Sequence, residues 1–97
     1  MKLPSGQEVK DETISDIVDF IAVDMLSTES SYNDSASAMS EELFDGYEGE
    51  HETLPTLHYN DREYLLEAIR VPTLEYLEKI RLARSELFDK HLKSREW

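Results

Sequence analysis

Carboxylates are the residues of this chain that offer the most chemistry, and they are unevenly distributed along its 97 residues. Residues 1–61 contain fifteen Asp and Glu residues but only two lysines, whereas residues 62–97 contain eight basic and seven acidic residues. The net charge of −12 therefore originates in the first two thirds of the chain. Carboxylates can transfer protons, bind metal ions, or present a negative surface to a basic partner.

Catalysis is the first of these uses, and no pattern in the sequence supports it. The chain has no glycine-rich phosphate loop and no serine, histidine and aspartate that the sequence can place together as a catalytic triad. It also lacks cysteine, which excludes disulfides and thiolate metal ligands and fits a reducing cytoplasm. We therefore predict that the protein is not an enzyme and that it has no catalytic residue and no cofactor.

Metal binding is the second use, and one short cluster resembles a metal site. His51 lies between Glu50 and Glu52, and Glu48 is close by. Ligands that are neighbours on a loop rarely converge on one zinc ion, and carboxylate pairs elsewhere lack the Glu-x-x-His partners of a bundle metal site. We predict no metal site. A metal-dependent bundle enzyme stays open as an alternative that elemental analysis of the purified protein would test.

Binding to a basic partner is the third use, and it is the one that the charge favours. Duplex DNA carries about 13 charges over about 22 Å of its axis, and the acidic part of this chain carries a comparable charge. Such a surface could fill the basic groove of a nucleic-acid-binding protein, in a complex that weakens as salt rises. The alternative is an acidic surface that serves only solubility or salt adaptation. The predicted contact residues are Asp16, Asp19, Asp24, Glu41, Glu42, Asp45, Glu48, Glu50 and Glu52.

Apolar residues with helical spacing predict the elements that position these side chains. A first helix is expected over residues 13–27, with Thr13 as its cap. Its apolar stripe is Ile14, Ile17, Val18, Ile21 and Met25. A second helix is expected over residues 35–46, capped from Asn33-Asp34-Ser35 and ending near Gly46 or Gly49. Its apolar stripe is Ala36, Met39, Leu43 and Tyr47.

The rest of the chain predicts two more helices. A third helix starts near Asn60, and Pro72 then breaks it or begins a new one. The final helix, over residues 73–94, has the widest apolar stripe: Leu74, Leu77, Ile80, Leu87, Phe88, His91 and Leu92. Residues 1–11 are expected to be a frayed polar arm. Residues 48–60 are expected to be a long connection that Leu54, Leu57 and Tyr59 fix to the core.

Together these elements predict one acidic all-α domain over residues 1–97, a small bundle of three to four helices with a long C-terminal helix as its spine. No apolar stretch approaches the roughly 18 residues of a membrane helix, and residues 1–12 lack the apolar run of a signal peptide. We therefore expect a cytoplasmic location, in the host cytoplasm if the chain is phage-encoded, and no membrane partner.

The first helix also has a second apolar side, formed by Phe20, Val23 and Leu26. A helix that is apolar nearly all round is buried or lies in an interface. These side chains are therefore expected either to form a homodimer or to pack beneath the connection at residues 54–59. The same face supports a rival function, in which a phage or host structural or adaptor protein docks through an apolar helix surface.

The function that we predict is inhibition by direct binding: a small acidic protein that blocks the nucleic-acid site of a basic nucleic-acid-binding protein or nuclease. It would not bind nucleic acid itself, since both are negatively charged. In charge and size the chain is similar to phage anti-restriction and anti-CRISPR proteins and to the immunity proteins of nuclease toxins. This is a likeness of physical properties, without a shared motif.

Overall fold

The computed structural model describes residues 1–49 and 53–95, and the side chains as far as Arg84. This part of the chain contains four helices: α1 (Asp11–Thr28), α2 (Tyr32–Asp45), α3 (Tyr59–Ala68) and α4 (Arg70–Arg95). Its β pairing is limited to two isolated bridges, between Lys2 and Glu8 and between Glu48 and Thr53. The protein is a small all-α bundle, as the apolar spacing predicts.

α1 supplies the centre of the core through one face. Ile17 and Ile21 have no exposed surface, and Met25 is only 6% exposed. Ile14 and Val18 are partly buried against the same cluster. The predicted apolar stripe is confirmed, and these five side chains fix the orientation of α1, so that the opposite side of the helix faces outward.

The start of α1 differs from the prediction. The helix begins at Asp11, and Thr13 is buried inside it instead of capping it. Lys10 occupies the N-cap position and makes no side-chain hydrogen bond to the helix. The negative charges of Asp11 and Glu12 lie at the positive end of the helix dipole, and this interaction stabilises the early start without a capping side chain.

α2 begins earlier than predicted and ends where predicted. The cap is Ser31, whose hydroxyl accepts a hydrogen bond of 3.3 Å from the backbone N–H of Asp34. The prediction of a cap at residues 33–35 is therefore wrong, because Ser31 already accepts from the first turn. The helix ends at Gly46, where φ is 89°. Three residues of its predicted stripe are buried: Ala36, Met39 and Leu43. The fourth, Tyr47, lies beyond the end of the helix and is partly buried against the core.

The connection from α2 to α3 is held to the core by two leucines. Leu54 and Leu57 are 3% and 2% exposed, as predicted. The backbone N–H of Leu54 donates to the carbonyl of Tyr47 at 2.7 Å, and that of Leu57 donates to the carbonyl of Leu43 at 3.0 Å. The predicted packing of Tyr59 is wrong, because this residue begins α3 and its side chain is 63% exposed.

The predicted break before the last helix is present. α3 ends at Ala68, Ile69 has a non-helical backbone (φ −94°, ψ 2°), and α4 starts at Arg70. Pro72 therefore lies in the first turn of α4, where its missing N–H removes no hydrogen bond within the helix. The N–H of Thr73 donates to the Ile69 carbonyl at 2.9 Å, which is the first backbone hydrogen bond of α4.

α4 packs on the core through a narrower stripe than predicted. Thr73 and Leu77 are buried and Ile80 is partly buried. Leu74, the first residue of the predicted stripe, is 41% exposed. The stripe members beyond Arg84 lie outside the side chains that the structure describes.

The N-terminal segment packs on the bundle, whereas a frayed arm was expected. Leu3 is 3% exposed and Val9 is completely buried. The segment turns at Gly6, where φ is 94°, and the N–H of Val9 donates to the Met1 carbonyl at 2.8 Å. A compact loop has no helical or strand period, so two isolated apolar residues in a polar stretch gave no sequence signal of packing.

Candidate partner-binding surface

The outward side of α1 forms a shallow groove with both charged and apolar walls. Its volume is about 380 Å³. Five of its lining residues come from α1 and one follows α2: Asp16, Asp19, Phe20, Val23, Asp24 and Tyr47. This depression, which we call the α1 groove, brings together three of the predicted contact carboxylates. Two of the three apolar residues of the second helix face also lie in it.

Carboxylates of two helices act on the Tyr47 hydroxyl at one wall of the α1 groove. The pKa of Tyr47 is raised, first because burial removes water from the phenol and then because Asp16, Glu42 and Asp19 oppose a further negative charge. Glu42 belongs to α2, whereas the two aspartates belong to α1. The negative charge of the two helices therefore converges on one side of the bundle.

The segment after α2 approaches α1 closely at Gly49. A Cβ atom on Gly49 would lie 2.6 Å from Cε1 of Tyr47 and 3.2 Å from Oδ2 of Asp16. Contacts this short exclude a side chain unless the neighbouring atoms move. A residue without Cβ at this position therefore leaves room for Tyr47 and Asp16, which both line the α1 groove.

The apolar part of the α1 groove is accessible. Phe20 is 37% exposed and Val23 is 46% exposed. Leu26, the third residue of the predicted second face, is partly buried and packs against the core cluster. The second apolar face of α1 is thus divided between the core and the surface, with two of its three side chains left available to a partner.

Two further depressions lie beside the α1 groove, on the side of α1 that faces α4. One, of about 270 Å³, shares Asp16 and Asp19 with it and is also lined by Tyr76 of α4. The other, of about 370 Å³, shares Tyr76 and extends to Asp11. With about 3.6 residues per helical turn, the α1 residues that line the three depressions lie on successive sides of the helix, so the concave strip passes around α1 from Tyr47 to α4.

The other predicted contact residues are placed differently. Three are exposed but line none of these depressions: Glu41, Asp45 and Glu48. Two more lie outside the described residues: Glu50 and Glu52. The structure therefore brings three of the nine predicted contact residues together in the α1 groove, with Glu42 close enough to act on Tyr47.

Sequence reasoning missed an arginine–aromatic cluster between α2 and α3. The Arg62 guanidinium lies 5.0 Å from the ring centre of Phe44 and 5.6 Å from that of Tyr59. Its Nη1 also donates to the Ser40 hydroxyl at 3.1 Å. The i, i+3 spacing of Tyr59 and Arg62 was visible in the sequence, but nothing in it linked this pair to Phe44 on another helix.

Comparisons with known proteins do not assign this surface to a family. No protein-family model matches the chain, and no curated protein and no solved structure matches it. Within the described ranges, no group of three or more His, Asp or Glu side chains is placed to hold a metal ion. The His51 cluster lies outside those ranges. None of the helices, over the residues described, has the length and apolarity that a membrane crossing requires.

Proposed function

We propose that the protein is a small acidic inhibitor that binds a basic nucleic-acid-binding protein or nuclease and blocks its nucleic-acid site. It acts as a nucleic-acid mimic, in the cytoplasm of its host if it is phage-encoded, and it does not itself bind nucleic acid. The observation that carries this proposal is the alignment of Asp16, Asp19 and Asp24 along one groove, with Glu42 close by on α2.

The density of charge along α1 supports mimicry of a single strand. Asp16 and Asp24 are eight residues apart, which corresponds to about 12 Å along a helix. Three aspartates on this length give about one charge per 4 Å. One strand of DNA carries about one charge per 3.4 Å of axis. A protein groove that follows the phosphates of one strand would therefore meet a similar charge on this face.

In this proposal the long C-terminal helix is the scaffold of the inhibitor. α4 supports α1 from the side, through Leu77 in the core and through a hydrogen bond from Tyr76 to Asp19. The outward side of α1 is thereby held in place while it stays open to a partner. Binding, and not catalysis, is proposed because the sequence offers no nucleophile with a base at a recognisable spacing.

The test combines partner capture with competition by nucleic acid. The purified protein is used to capture partners from its native host, and the captured protein is then loaded with a fluorescent oligonucleotide. The inhibitor should displace the oligonucleotide, and its affinity should fall steeply between about 50 mM and about 200 mM salt. Capture of acidic or membrane proteins alone, or binding without displacement, would contradict the proposal.

A pair of charge variants tests whether the α1 groove makes the contact. Asp16→Asn, Asp19→Asn and Asp24→Asn together remove three charges from the groove. The control removes three charges from exposed positions outside it: Glu29→Gln, Glu63→Gln and Glu78→Gln. The first variant should lose most of its ability to displace the oligonucleotide and the control should keep it. Equal losses would mean that net charge acts without the groove.

An adaptor protein that docks through an apolar helix face is the second candidate. The exposure of Phe20 and Val23 favours it, because solvent-facing apolar side chains beside each other mark interaction sites. Salt separates the two functions, since apolar docking tolerates high salt and contact between charges does not. A captured complex that survives high salt and leaves nucleic-acid binding intact would favour the adaptor.

A further inference from the structure

We propose that the α1 groove takes one basic amphipathic helix of its partner. Apolar side chains of that helix seat on Phe20 and Val23, and its Lys or Arg side chains pair with the aspartates beside them. This inference rests on the proposed function and deepens it, because it specifies which element of a basic partner the inhibitor recognises.

The exposed apolar side chains of the α1 groove are the first reason to propose an amphipathic ligand. Asp16 and Asp24 each lie four residues from Phe20, and Asp19 lies four residues from Val23, so each exposed apolar side chain has a carboxylate beside it on the surface of α1. A ligand that carried only positive charge would leave Phe20 and Val23 in contact with water. A ligand with apolar side chains at the centre and basic ones at the edge satisfies both parts, and burial of the apolar surface adds affinity.

The negative charge of the three depressions is the second reason, because it favours a basic ligand. It also argues against a second copy of this chain as the occupant. Among the side chains that line the three depressions, Lys79 alone is basic. Those that are acidic are Asp11, Asp16, Asp19, Asp24 and Glu75. Two copies that met through Phe20 and Val23 would bring like charges together, each from a chain of net charge −12. A basic partner removes that repulsion.

The geometry of the strip favours a helix as the ligand. The backbone groups of α1 are hydrogen-bonded within the helix, so an extended segment would find no strand edge to pair with. A helix satisfies its own backbone and presents side chains alone, which is the usual mode of binding in a groove. The α1 groove extends from Asp16 to Asp24, about 12 Å along α1, and this length matches about two turns of a ligand helix.

Three labelled peptides of about 14 residues provide the probe. The first has lysines on one helical face and leucines at i, i+3, i+4 and i+7. The second replaces each leucine by glutamine at equal charge, and the third replaces each lysine by glutamate. In fluorescence anisotropy, the lysine–leucine peptide should bind at least about tenfold more tightly than the lysine–glutamine peptide. The glutamate peptide should not bind.

Matched variants of the full chain locate the site. Phe20→Ser with Val23→Ser should weaken the lysine–leucine peptide about tenfold and leave the lysine–glutamine peptide unchanged. The control, Val71→Ser with Leu82→Ser, changes side chains on α4 that are 62% and 56% exposed and should have no effect. Val23→Thr alone keeps the shape of the side chain and should give a smaller loss in the same direction.

The outcomes separate this inference from the proposed function. Equal affinity for the two lysine peptides would overturn helix docking, even if the protein still displaced an oligonucleotide from its captured partner. Tight, Val23-dependent binding of the lysine–leucine peptide would support docking, even if no oligonucleotide were displaced and the inhibitor function failed. A dimer that Val23→Thr dissociates would assign the face to a second copy and overturn the inference.

Discussion

Ser5 and Asp61 are joined by two hydrogen bonds although 56 residues separate them in the chain. The Ser5 backbone N–H donates to Oδ1 of Asp61 at 3.1 Å, and the Ser5 hydroxyl donates to Oδ2. Asp61 is only 2% exposed. One of the fifteen carboxylates of the acidic part is therefore a structural anchor that fixes the N-terminal segment to α3, and it contributes little to the charge that a partner would meet.

Removal of this anchor should destabilise the bundle and release the N-terminal segment. Asp61→Ala deletes both acceptors and leaves two Ser5 donors without their partner, so the free energy of unfolding should fall by about 2 kcal/mol. Urea unfolding measures the loss, and hydrogen exchange at Leu3 and Val9 shows the release. Glu63→Ala, an exposed change on the same helix, should cost less than about 0.5 kcal/mol. If the two variants lose similar amounts of unfolding free energy, the hydrogen bonds between Ser5 and Asp61 do not stabilise the bundle as proposed.

Tyr32 should make stability depend on pH in the alkaline range. Its hydroxyl donates to the Leu66 carbonyl, and burial, with a further contribution from the charge of Glu67, raises its pKa from 10.0 to about 12. Because the folded-state pKa is the higher one, the stabilisation is complete below pH 10.0 and is lost as the pH rises to about 12. The free energy of unfolding should therefore decline across this window.

Tyrosine variants measure that decline. Tyr32→Phe cannot ionise, so its unfolding free energy should fall less steeply between pH 10.0 and about 12 than that of the unmodified protein. Tyr64→Phe, at an exposed position of α3, is the control and should keep the original slope. If Tyr32→Phe leaves the pH dependence of the unfolding free energy unchanged, ionisation of Tyr32 does not cause the alkaline loss of stability.

Truncation of Leu43 should be among the most damaging single changes. Leu43 has no exposed surface and lies in the cluster formed by α1, α2 and the connection. Leu43→Ala should lower the free energy of unfolding by about 2–5 kcal/mol, because it removes apolar contacts and leaves a cavity. Leu82→Ala, at a position that is 56% exposed, should change it by less than about 1 kcal/mol. Chemical unfolding of the two variants under one condition gives the comparison.

The contact between Tyr76 and Asp19 should matter more for position than for stability. The Tyr76 hydroxyl donates to Oδ1 of Asp19 at 2.8 Å at the surface, and this bond raises the pKa of the phenol. Tyr76→Phe should cost at most about 1 kcal/mol because water replaces the lost partner. Phenolate titration of the unmodified protein should show three tyrosines of raised pKa, Tyr32, Tyr47 and Tyr76, and Tyr76→Phe should lack one of them. If all three raised titrations persist in Tyr76→Phe, the bond does not form.

The core of the helices could be predicted because its contacts repeat. Ile17, Ile21 and Met25 recur at four-residue intervals, and a helix places such residues on one side whatever packs against them. Leu3 and Val9 are just as deeply buried, but they belong to an irregular loop where spacing carries no information. The same loop is bound through Ser5 to Asp61, which a reading of local sequence counts as one more surface charge.

The candidate site could be predicted only in part, for a related reason. Asp16 and Asp19 share a helix face by spacing alone, and both were among the predicted contacts. The approach of Glu42 depends on how α2 crosses α1, and no local pattern encodes that crossing. The division of the second apolar face, with Leu26 on the core and Phe20 at the surface, likewise depends on which neighbours reach each side chain.

The sequence by itself determined the helical class, the core stripe of α1 and the concentration of acid before residue 62, because periodicity and charge are local properties of the chain. Only the tertiary structure decided which carboxylates share a groove, which one is buried as an anchor, and that Phe20 and Val23 stay open between the aspartates. These features depend on the relative placement of distant segments, which forms through packing and hydrogen bonds that sequence spacing does not record.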